Sequence, residues 1–209
     1  MMTDMTMDNF LAALSSSEPV PGGGGACGYV AAVGMSLGNM VLALTTGRKK
    51  YAEYQEEIEE LIVKATDLTK RLAECMDKDA ESFKPLAAAY GLPKDTEEQI
   101  KEREAIMAKA LVTASEAPLS MMELILEAMK LIDRISVIGS RIAISDAGVG
   151  ITMCEAAMKG ASLNVFINTK LMKDRELAED MNFKADKMLA EAAQIEEETF
   201  GRVMDAVRP

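Results

Sequence analysis

Apolar residues recur at three- and four-residue intervals along most of this chain, and that spacing predicts helices rather than strands. A short first helix is indicated through Phe10 and Leu14. A longer, charged helix is indicated from about 51 to 90, and another from about 173 to 207. Each of these segments carries its apolar residues on one side and its charges on the other, as helices at the surface of a bundle do.

Prolines and capping residues predict where these helices begin and end. We expect Pro85 to kink or end the charged helix that starts near residue 51. Thr96 followed by Gln99 reads as a capping box, which predicts the start of the next helix. That helix is expected to end near Ser115, because Pro118 is well placed to open a separate helix.

Two further segments are almost free of charge. The segment from Pro19 to Gly47 contains no Asp, Glu, Lys or Arg, and it holds eight of the fourteen glycines. A second low-charge helix is expected from 140 to 159, with interruptions at Gly148 and Gly150. A short apolar piece from 161 to 171 follows it.

Composition favours an all-α fold. Only 4% of the residues are aromatic, and the apolar part consists mainly of Ala, Leu, Ile, Val and seventeen Met, which are largely helix formers. No internal repeat or linker divides the chain. We therefore predict one all-α domain over residues 1–209, a bundle of six to seven helices.

Charge and the lack of histidine exclude several kinds of function. A net charge of −11 argues against nucleic-acid binding, and the one compact basic patch is Arg48-Lys49-Lys50. Without His there is no Ser-His or Cys-His nucleophile pair and no His-ligated metal. Three widely spaced cysteines and an N-terminus unlike a signal peptide predict a cytoplasmic location.

The glycine-rich segment has several possible explanations. Its length would allow a membrane span, but Ala and Gly dominate where Leu and Phe would be expected, so we favour a buried helix. Three of its glycines match a dinucleotide-binding spacing, but no strand precedes them. Gly34 and Gly38 are spaced for close helix packing. Gly22–Gly25 instead favour backbone approach to a ligand at a helix N-terminus.

Six motifs occur in a fixed order along the chain. They are ProValProGlyGlyGlyGlyAla (19–26), ThrThrGlyArgLysLysTyr (45–51), Asp79-Ala80 with Phe83, GluAlaPro (116–118), Ser145-Asp146 and AsnValPheIleAsnThr (164–169). In this order they resemble the cyclodeaminase/cyclohydrolase family of folate enzymes, and the similarity covers nearly the whole chain. Gly25 and Cys27 depart from the Ser and Ala expected at these positions, a difference that bears on substrate preference and leaves the fold untouched.

The resemblance implies an all-α homodimer that acts, without metal or redox cofactor, on a tetrahydrofolate derivative in mono- or polyglutamylated form. The cyclohydrolase of the family adds water to 5,10-methenyltetrahydrofolate and gives 10-formyltetrahydrofolate. The cyclodeaminase converts 5-formiminotetrahydrofolate to the same methenyl compound and releases ammonia. We expect the cyclohydrolase, because no formiminotransferase domain is attached, with the cyclodeaminase and a non-catalytic helical dimer as alternatives. No nucleic-acid or membrane partner is expected.

Both reactions need proton transfer at a carbon between two folate nitrogens. A carboxylate beside the amidinium-like methenyl group would stabilise its charge and accept a proton from water. Asp146 is the first candidate, because an acid on an apolar helix is costly unless paired or used, although a helix cap would also explain it. Asp79 is the second candidate. Its charged surroundings by themselves indicate a solvated face, and the resemblance implies its catalytic role.

Other residues are candidates for binding the substrate. The Lys49–Lys50 pair would suit the anionic glutamate tail of folate, or would complement a helix C-terminus. Asn164 and Asn168 lie four apart, so their amides would face the pterin together or serve a helix end. Tyr29 and Phe83 would stack on the pterin or belong to the core. The predicted binding residues are Gly22, Gly23, Gly24, Gly25, Lys49, Lys50, Asn164 and Asn168.

Overall fold

The chain forms six α-helices joined by short connections, as a computed structural model that describes all residues, 1–209, shows. The helices are α1 (Met7–Leu14), α2 (Gly23–Thr45), α3 (Gln55–Tyr90), α4 (Glu97–Ile138), α5 (Ile144–Thr169) and α6 (Arg175–Val207). Short 3-10 turns lie at Met2–Asp4, Lys49–Tyr54 and Arg141–Ala143. No strand is present, which confirms the all-α prediction, and the predicted capping box of Thr96 and Gln99 opens α4.

Helix α4 lies at the centre of the bundle. Its side chains at helical spacing are completely buried, and they include Met122, Ile125, Met129, Ile132 and Ile135. Helices α3, α5 and α6 pack around it, and α2 lies between α3 and α5. Because burial of each such side chain contributes about 1.5–3 kcal/mol, this one helix organises most of the core.

Helix α2 carries no charged residue. It is long and apolar enough to cross a membrane, but it packs between α3 and α5, and 44% of its most apolar stretch is buried. Core helices meet the same criteria, so length and hydropathy are weak evidence for a membrane span. The side of α2 that faces solvent remains apolar, with Met40 and Leu44 exposed to 43% and 38%.

The helix end predicted near Ser115 is wrong, and of the two outcomes predicted for Pro85, a kink or an end, the end is wrong. Helices α3 and α4 continue through Pro85 and Pro118. Proline lacks the backbone N–H that would bond to the carbonyl four residues earlier. For Pro118 that carbonyl belongs to Ala114, and the side-chain amide of Asn168 donates to it at 2.8 Å. A contact from α5 therefore supplies the missing donor, and α4 is not divided near residue 115.

The second low-charge segment forms one helix, α5, rather than two pieces. Gly148 and Gly150 do not interrupt it, because each lies where a neighbouring helix approaches closely. A Cβ on Gly148 would meet Val203 of α6 at 2.8 Å, and one on Gly150 would meet the carbonyl of Gly34 on α2 at 2.7 Å. The predicted packing role of Gly34 and Gly38 is confirmed, since Gly38 faces α4 in the same way.

The C-terminal end of α2 is closed by hydrogen bonds. The Oγ1 atom of Thr45 accepts from the backbone N–H of Ser140 at 2.8 Å. The hydroxyl of Tyr51 accepts from the backbone N–H of Arg141 at 3.2 Å. Gly47 follows the helix with a φ of +71°, a left-handed conformation that glycine adopts without strain.

Candidate active site

A cavity of about 250 Å³ lies where the N-terminus of α2 meets α3, α4 and α5. The segment before α2 forms one wall, and the three other helices contribute one side each. The lining residues are Pro19, Val20, Gly22, Gly23, Gly24, Asp79, Ser82, Phe83, Ala114, Asn164, Ile167 and Asn168. The fold thus brings one predicted acid and most of the predicted binding residues together, while Gly25 is buried behind the cavity.

Asp79 is the one acidic side chain that lines this cavity. Its half-buried carboxylate lies against Gly24 and beside Gly25, in the first turn of α2. Burial raises the pKa of Asp79 above its ordinary value of 3.8, and the backbone N–H of Gly25 partly offsets this rise. A carboxyl group with a raised pKa is better suited both to accept and to donate a proton.

The four consecutive glycines have different roles. A Cβ at Gly24 would overlap the carboxylate of Asp79, whereas at Gly22, Gly23 or Gly25 it would meet nothing closer than 3.5 Å. Gly24 is therefore needed for Asp79 to reach the helix end. Helix α2 begins at Gly23, so that the glycines form its first turn. Without side chains there, the free N–H groups of this turn stay accessible.

Asn164 and Asn168 face the cavity from one side of α5. Each amide nitrogen already has a backbone acceptor, since Asn164 donates to Gly160 at 3.0 Å and Asn168 donates to Ala114 at 2.8 Å. The two side-chain oxygens have no hydrogen-bond donor within the chain. They are available to accept from N–H groups of a bound ring.

Three lining residues on the helices, Ser82, Ala114 and Ile167, are not among the candidate residues predicted from the sequence. Ser82 and Ile167 each lie one helical turn beyond a predicted residue, so the helical spacing contains the signal that identifies these two. Phe83 lines the cavity, which leaves it available for stacking. Tyr29 does not line it and packs against Phe10, with 5.4 Å between the ring centres.

Cys27 lies close to the site, half-buried on α2. Burial and, to a smaller extent, the charge of Asp79 raise the pKa of its thiol to about 11. The thiol is therefore protonated at neutral pH and is a poor nucleophile. Nowhere in the chain do three or more His, Cys, Asp or Glu side chains come together as a metal site.

Known proteins resemble this chain over its whole length. The model of the formiminotransferase-cyclodeaminase family matches residues 6–187. A methenyltetrahydrofolate cyclohydrolase of Methylorubrum extorquens is 37% identical over 202 residues, which are 97% of each chain. This chain belongs to the formiminotransferase-cyclodeaminase family. The predicted resemblance is thereby confirmed.

Other members of the formiminotransferase-cyclodeaminase family are longer. The formimidoyltransferase-cyclodeaminase of Mus musculus is 28% identical over 191 residues, which are 91% of this chain and 35% of that protein. This chain thus spans about a third of its length. The crystal structure of formiminotetrahydrofolate cyclodeaminase from Thermotoga maritima aligns with this chain with a TM-score of 0.81, over 99% of this chain and 98% of that chain. The two sequences are 22% identical. The fold is therefore shared.

The motifs that carry the family resemblance divide between the two ends of the α2–α5 pair. Asp79 and the asparagines lie at the cavity, whereas Asp146 and the Lys49–Lys50 pair lie at the opposite end. Asp146 precedes Asn164 on α5 by about 27 Å of helix, and the lysines lie beyond α2, which extends about 33 Å from Gly23. The structure therefore does not bring the first acid–base candidate or the lysines to the cavity of their own chain. Their roles stay predictions.

Proposed function

We propose that this protein is a folate enzyme, a methenyltetrahydrofolate cyclohydrolase that converts 5,10-methenyltetrahydrofolate to 10-formyltetrahydrofolate. The observation that carries the proposal is 37% identity, over 97% of both chains, to a protein of that name. The cavity supports it, because its single carboxylate has a raised pKa and stands near two free amide oxygens.

The pterin ring of the substrate occupies the cavity in this proposal. Its ring N–H and amino groups donate to the side-chain oxygens of Asn164 and Asn168. Phe83 offers an aromatic face, and the bare backbone at Gly22 and Gly23 permits close approach. A cavity of about 250 Å³ is smaller than the roughly 300–1,000 Å³ of sites that enclose drug-sized ligands. The aminobenzoyl-glutamate part of the folate therefore extends outside it.

Asp79 transfers the protons. As water adds to the methenyl carbon, the carboxylate of Asp79 accepts one proton, and a neutral tetrahedral carbon with a hydroxyl group results. The bond from this carbon to N5 then breaks, N5 takes the proton from Asp79, and the hydroxyl proton leaves to solvent as the formyl carbonyl forms on N10. One proton is released overall. The carboxylate also stabilises the positive charge of the methenyl group.

The cyclodeaminase reaction is the second candidate. It is favoured by the similarity to formimidoyltransferase-cyclodeaminases, such as the mouse protein at 28% identity. In that reaction N10 attacks the carbon of the protonated formimino group, Asp79 accepts the proton from N10, and Asp79 then donates it to the nitrogen that leaves as ammonia. Both reactions use the same cavity and the same carboxylate.

The protein is further proposed to be a cytoplasmic homodimer that needs no metal or redox cofactor. Neither hydride nor electrons are transferred in the reaction, which supports the proposal that no metal or redox cofactor is needed. The negative net charge supports the expectation that nucleic acid is not a partner, and no membrane partner is proposed. The dimer is supported by apolar residues on the solvent side of α2 and α5, which are 38% to 67% exposed. They are Met40, Leu44, Val149, Leu163 and Ile167.

Two assays with purified protein test the function. We expect the protein to accelerate the loss of methenyltetrahydrofolate absorbance over a blank without protein, and to release no ammonia from 5-formiminotetrahydrofolate. Ammonia release at a comparable rate would make the cyclodeaminase the function. Inactivity in both assays would remove the enzyme proposal and leave the non-catalytic dimer.

Sedimentation tests the homodimer. Met40→Glu places a charge on the exposed side of α2, and we expect it to convert the dimer to a monomer. Val63→Glu is the matched control, because Val63 is 70% exposed on α3, and this variant should remain dimeric. A wild-type protein that sediments as a monomer would contradict the proposal.

A further inference from the structure

The solvent side of α2 carries an apolar stripe that is complementary to itself. Its members are Ala26, Val30, Val33, Leu37, Met40 and Leu44. They alternate at four- and three-residue intervals, as in the seam of a coiled coil, and none of them is completely buried. If two copies pair antiparallel about a two-fold axis at residue 35, the first member meets the sixth, the second meets the fifth, and the third meets the fourth.

Helix α5 widens this apolar face and extends it to the mouth of the cavity. It lies antiparallel to α2, since Gly34 packs on Gly150 and Cys27 packs on Gly160. Ile167 both lines the cavity and is 63% exposed on this face. Two helices about 33 Å long and about 9 Å apart present on the order of 600 Å², a large share of the about 800 Å² that each partner buries in a standard interface.

We propose that two copies of this chain pair antiparallel across this face, and that the partner subunit's Arg48, Lys49 and Lys50 complete each substrate site. The two-fold axis at residue 35 sets Gly25, beside the cavity, opposite the partner's Thr45, and the partner's three cations follow that helix end within five residues. In their own chain these cations lie about 33 Å from the cavity and form no salt bridge. The inference rests on the folate substrate proposed above.

Charge favours the antiparallel arrangement over a parallel one. The cavity end carries the exposed Glu18 directly before the cavity wall, and Asp79 inside it. The opposite end carries the three exposed cations of residues 48–50, in a chain with a net charge of −11. Antiparallel pairing brings these unlike charges together, whereas parallel pairing would set the cations of both copies against each other.

The chemistry of the substrate fits these cations. The glutamate tail of folate ends in carboxylates, and it extends from a cavity that holds only the ring. Ammonium and guanidinium groups bind carboxylates through charge-assisted hydrogen bonds, and a longer polyglutamate tail offers more of them. We therefore expect a chain with both Lys49→Ala and Lys50→Ala to show about a tenfold higher KM for a polyglutamylated substrate, equivalent to 1.4 kcal/mol.

Mixed dimers test whether the site is shared. Asp79→Asn inactivates the cavity of its own chain, and the double lysine variant removes the cations. In a dimer with one chain of each kind, the proposal predicts one site with both defects and one with none. After random reassociation of the two variants, activity at low substrate should recover to about a quarter of wild type, since half of the dimers are mixed. No recovery would show that the cavity and its cations belong to one chain, and would overturn the proposal.

A second cavity of about 290 Å³ is an alternative binding site for the glutamate tail, and it lies within the same chain as the first cavity. It shares Ser82 with the first cavity, and Lys78 lines it. Lys78→Ala is therefore the matched control for the lysine variants, and its KM should be that of wild type. A raised KM for Lys78→Ala, together with an unchanged KM for the double lysine variant, would overturn the proposal.

Disulfide cross-linking tests the pairing without any substrate. In a Cys27→Ser background, Ala26→Cys and Leu44→Cys chains should cross-link to each other on mixing and oxidation, and neither should cross-link to itself. Self-linking of Leu44→Cys, or no link at all, would contradict the antiparallel register. Because this readout needs no activity, failure of the register and failure of the folate assignment are distinguishable.

Discussion

The two ends of the α2–α5 pair belong to the same two helices, of which α2 is uncharged and α5 carries few charges, yet one end is open and the other is closed. At the N-terminus of α2, glycines leave backbone N–H groups beside a cavity that contains Asp79. At the C-terminus, Thr45 bonds to Ser140, and Gly47 turns the chain away from the helix. The comparison indicates that a helix end becomes a binding site when its free backbone groups are left accessible. It becomes structural support when the following turn satisfies them, as the N–H groups of Thr46 and Arg48 do for the carbonyls of Leu42 and Thr45.

Removal of the carboxylate at the open end should have the largest effect. Asp79→Asn keeps the shape of the side chain but does not exchange a proton with the substrate, so kcat should fall about 10²- to 10⁴-fold. Asp77→Asn is the matched control, because Asp77 lies on the same helix, bonds to Met2 and does not line the cavity. Initial rates of absorbance loss measure both variants. Equal losses would contradict the role of Asp79.

Burial of Asp79 gives activity and stability opposite dependences on pH. Its pKa is raised, so kcat/KM should fall as the pH is lowered through a value above 3.8, where protonated Asp79 no longer accepts a proton from water. The folded protein holds this proton at a pH where the unfolded chain has lost it. The contribution of Asp79 to the free energy of unfolding is therefore greatest below 3.8 and declines as the pH rises through the raised pKa.

Denaturation of wild type and Asp79→Asn from acid to neutral pH measures this dependence. We expect the variant to gain stability relative to wild type as the pH rises, because it lacks a buried charge. Parallel profiles would show that burial does not perturb Asp79.

Adding a methyl group to Gly24 should lower the activity much more than adding one to Gly25, although the two glycines are adjacent in the first turn of α2. Gly24→Ala displaces the carboxylate of Asp79, and we expect kcat to fall about ten- to a hundredfold. At Gly25 a Cβ would meet Pro21 at 3.5 Å and Met2 at 4.0 Å, both ordinary contacts, so Gly25→Ala should keep most of the activity. The same kinetic assay compares them. A greater loss in Gly25→Ala would mean that the clash with Asp79 is not what makes glycine necessary.

The smallest effect on catalysis is expected at the closed end. Thr45→Val keeps the shape of a completely buried side chain but leaves the N–H of Ser140 without its acceptor. The free energy of unfolding should fall by about 1–3 kcal/mol in urea denaturation, with kcat of the folded protein unchanged. A drop in kcat without a drop in stability would show that this hydrogen bond serves catalysis.

The sequence predicts the helices and much of the cavity, because both depend on patterns that are local. Three- and four-residue spacing determines which residues share a helix face, and it places Asn164 and Asn168 together. The family motifs point to Asp79, although its charged neighbours indicate nothing unusual. What the sequence does not reveal is that Asp79 contacts Gly24, because that contact joins two helices.

The wrong helix end before Pro118 and the distance between Asp146 and Asp79, which the sequence does not reveal, have the same origin. Pro118 satisfies every local rule for a helix start, and the donor that keeps α4 intact comes from Asn168, 54 positions away. The separation of Asp146 from Asp79 follows from the direction of α5 in the bundle, which periodicity does not specify. Tertiary packing decides both cases, and a single sequence contains little information about it.

The contact between Pro118 and Asn168 also limits how this protein can evolve. Replacing Asn168 alone would leave the carbonyl of Ala114, a buried residue, without a donor. Replacing Pro118 alone by a residue with an N–H would provide two donors for that carbonyl and release the asparagine amide. Substitutions at the two positions should therefore be epistatic, and in a lineage that loses the proline only substrate binding would still require the asparagine.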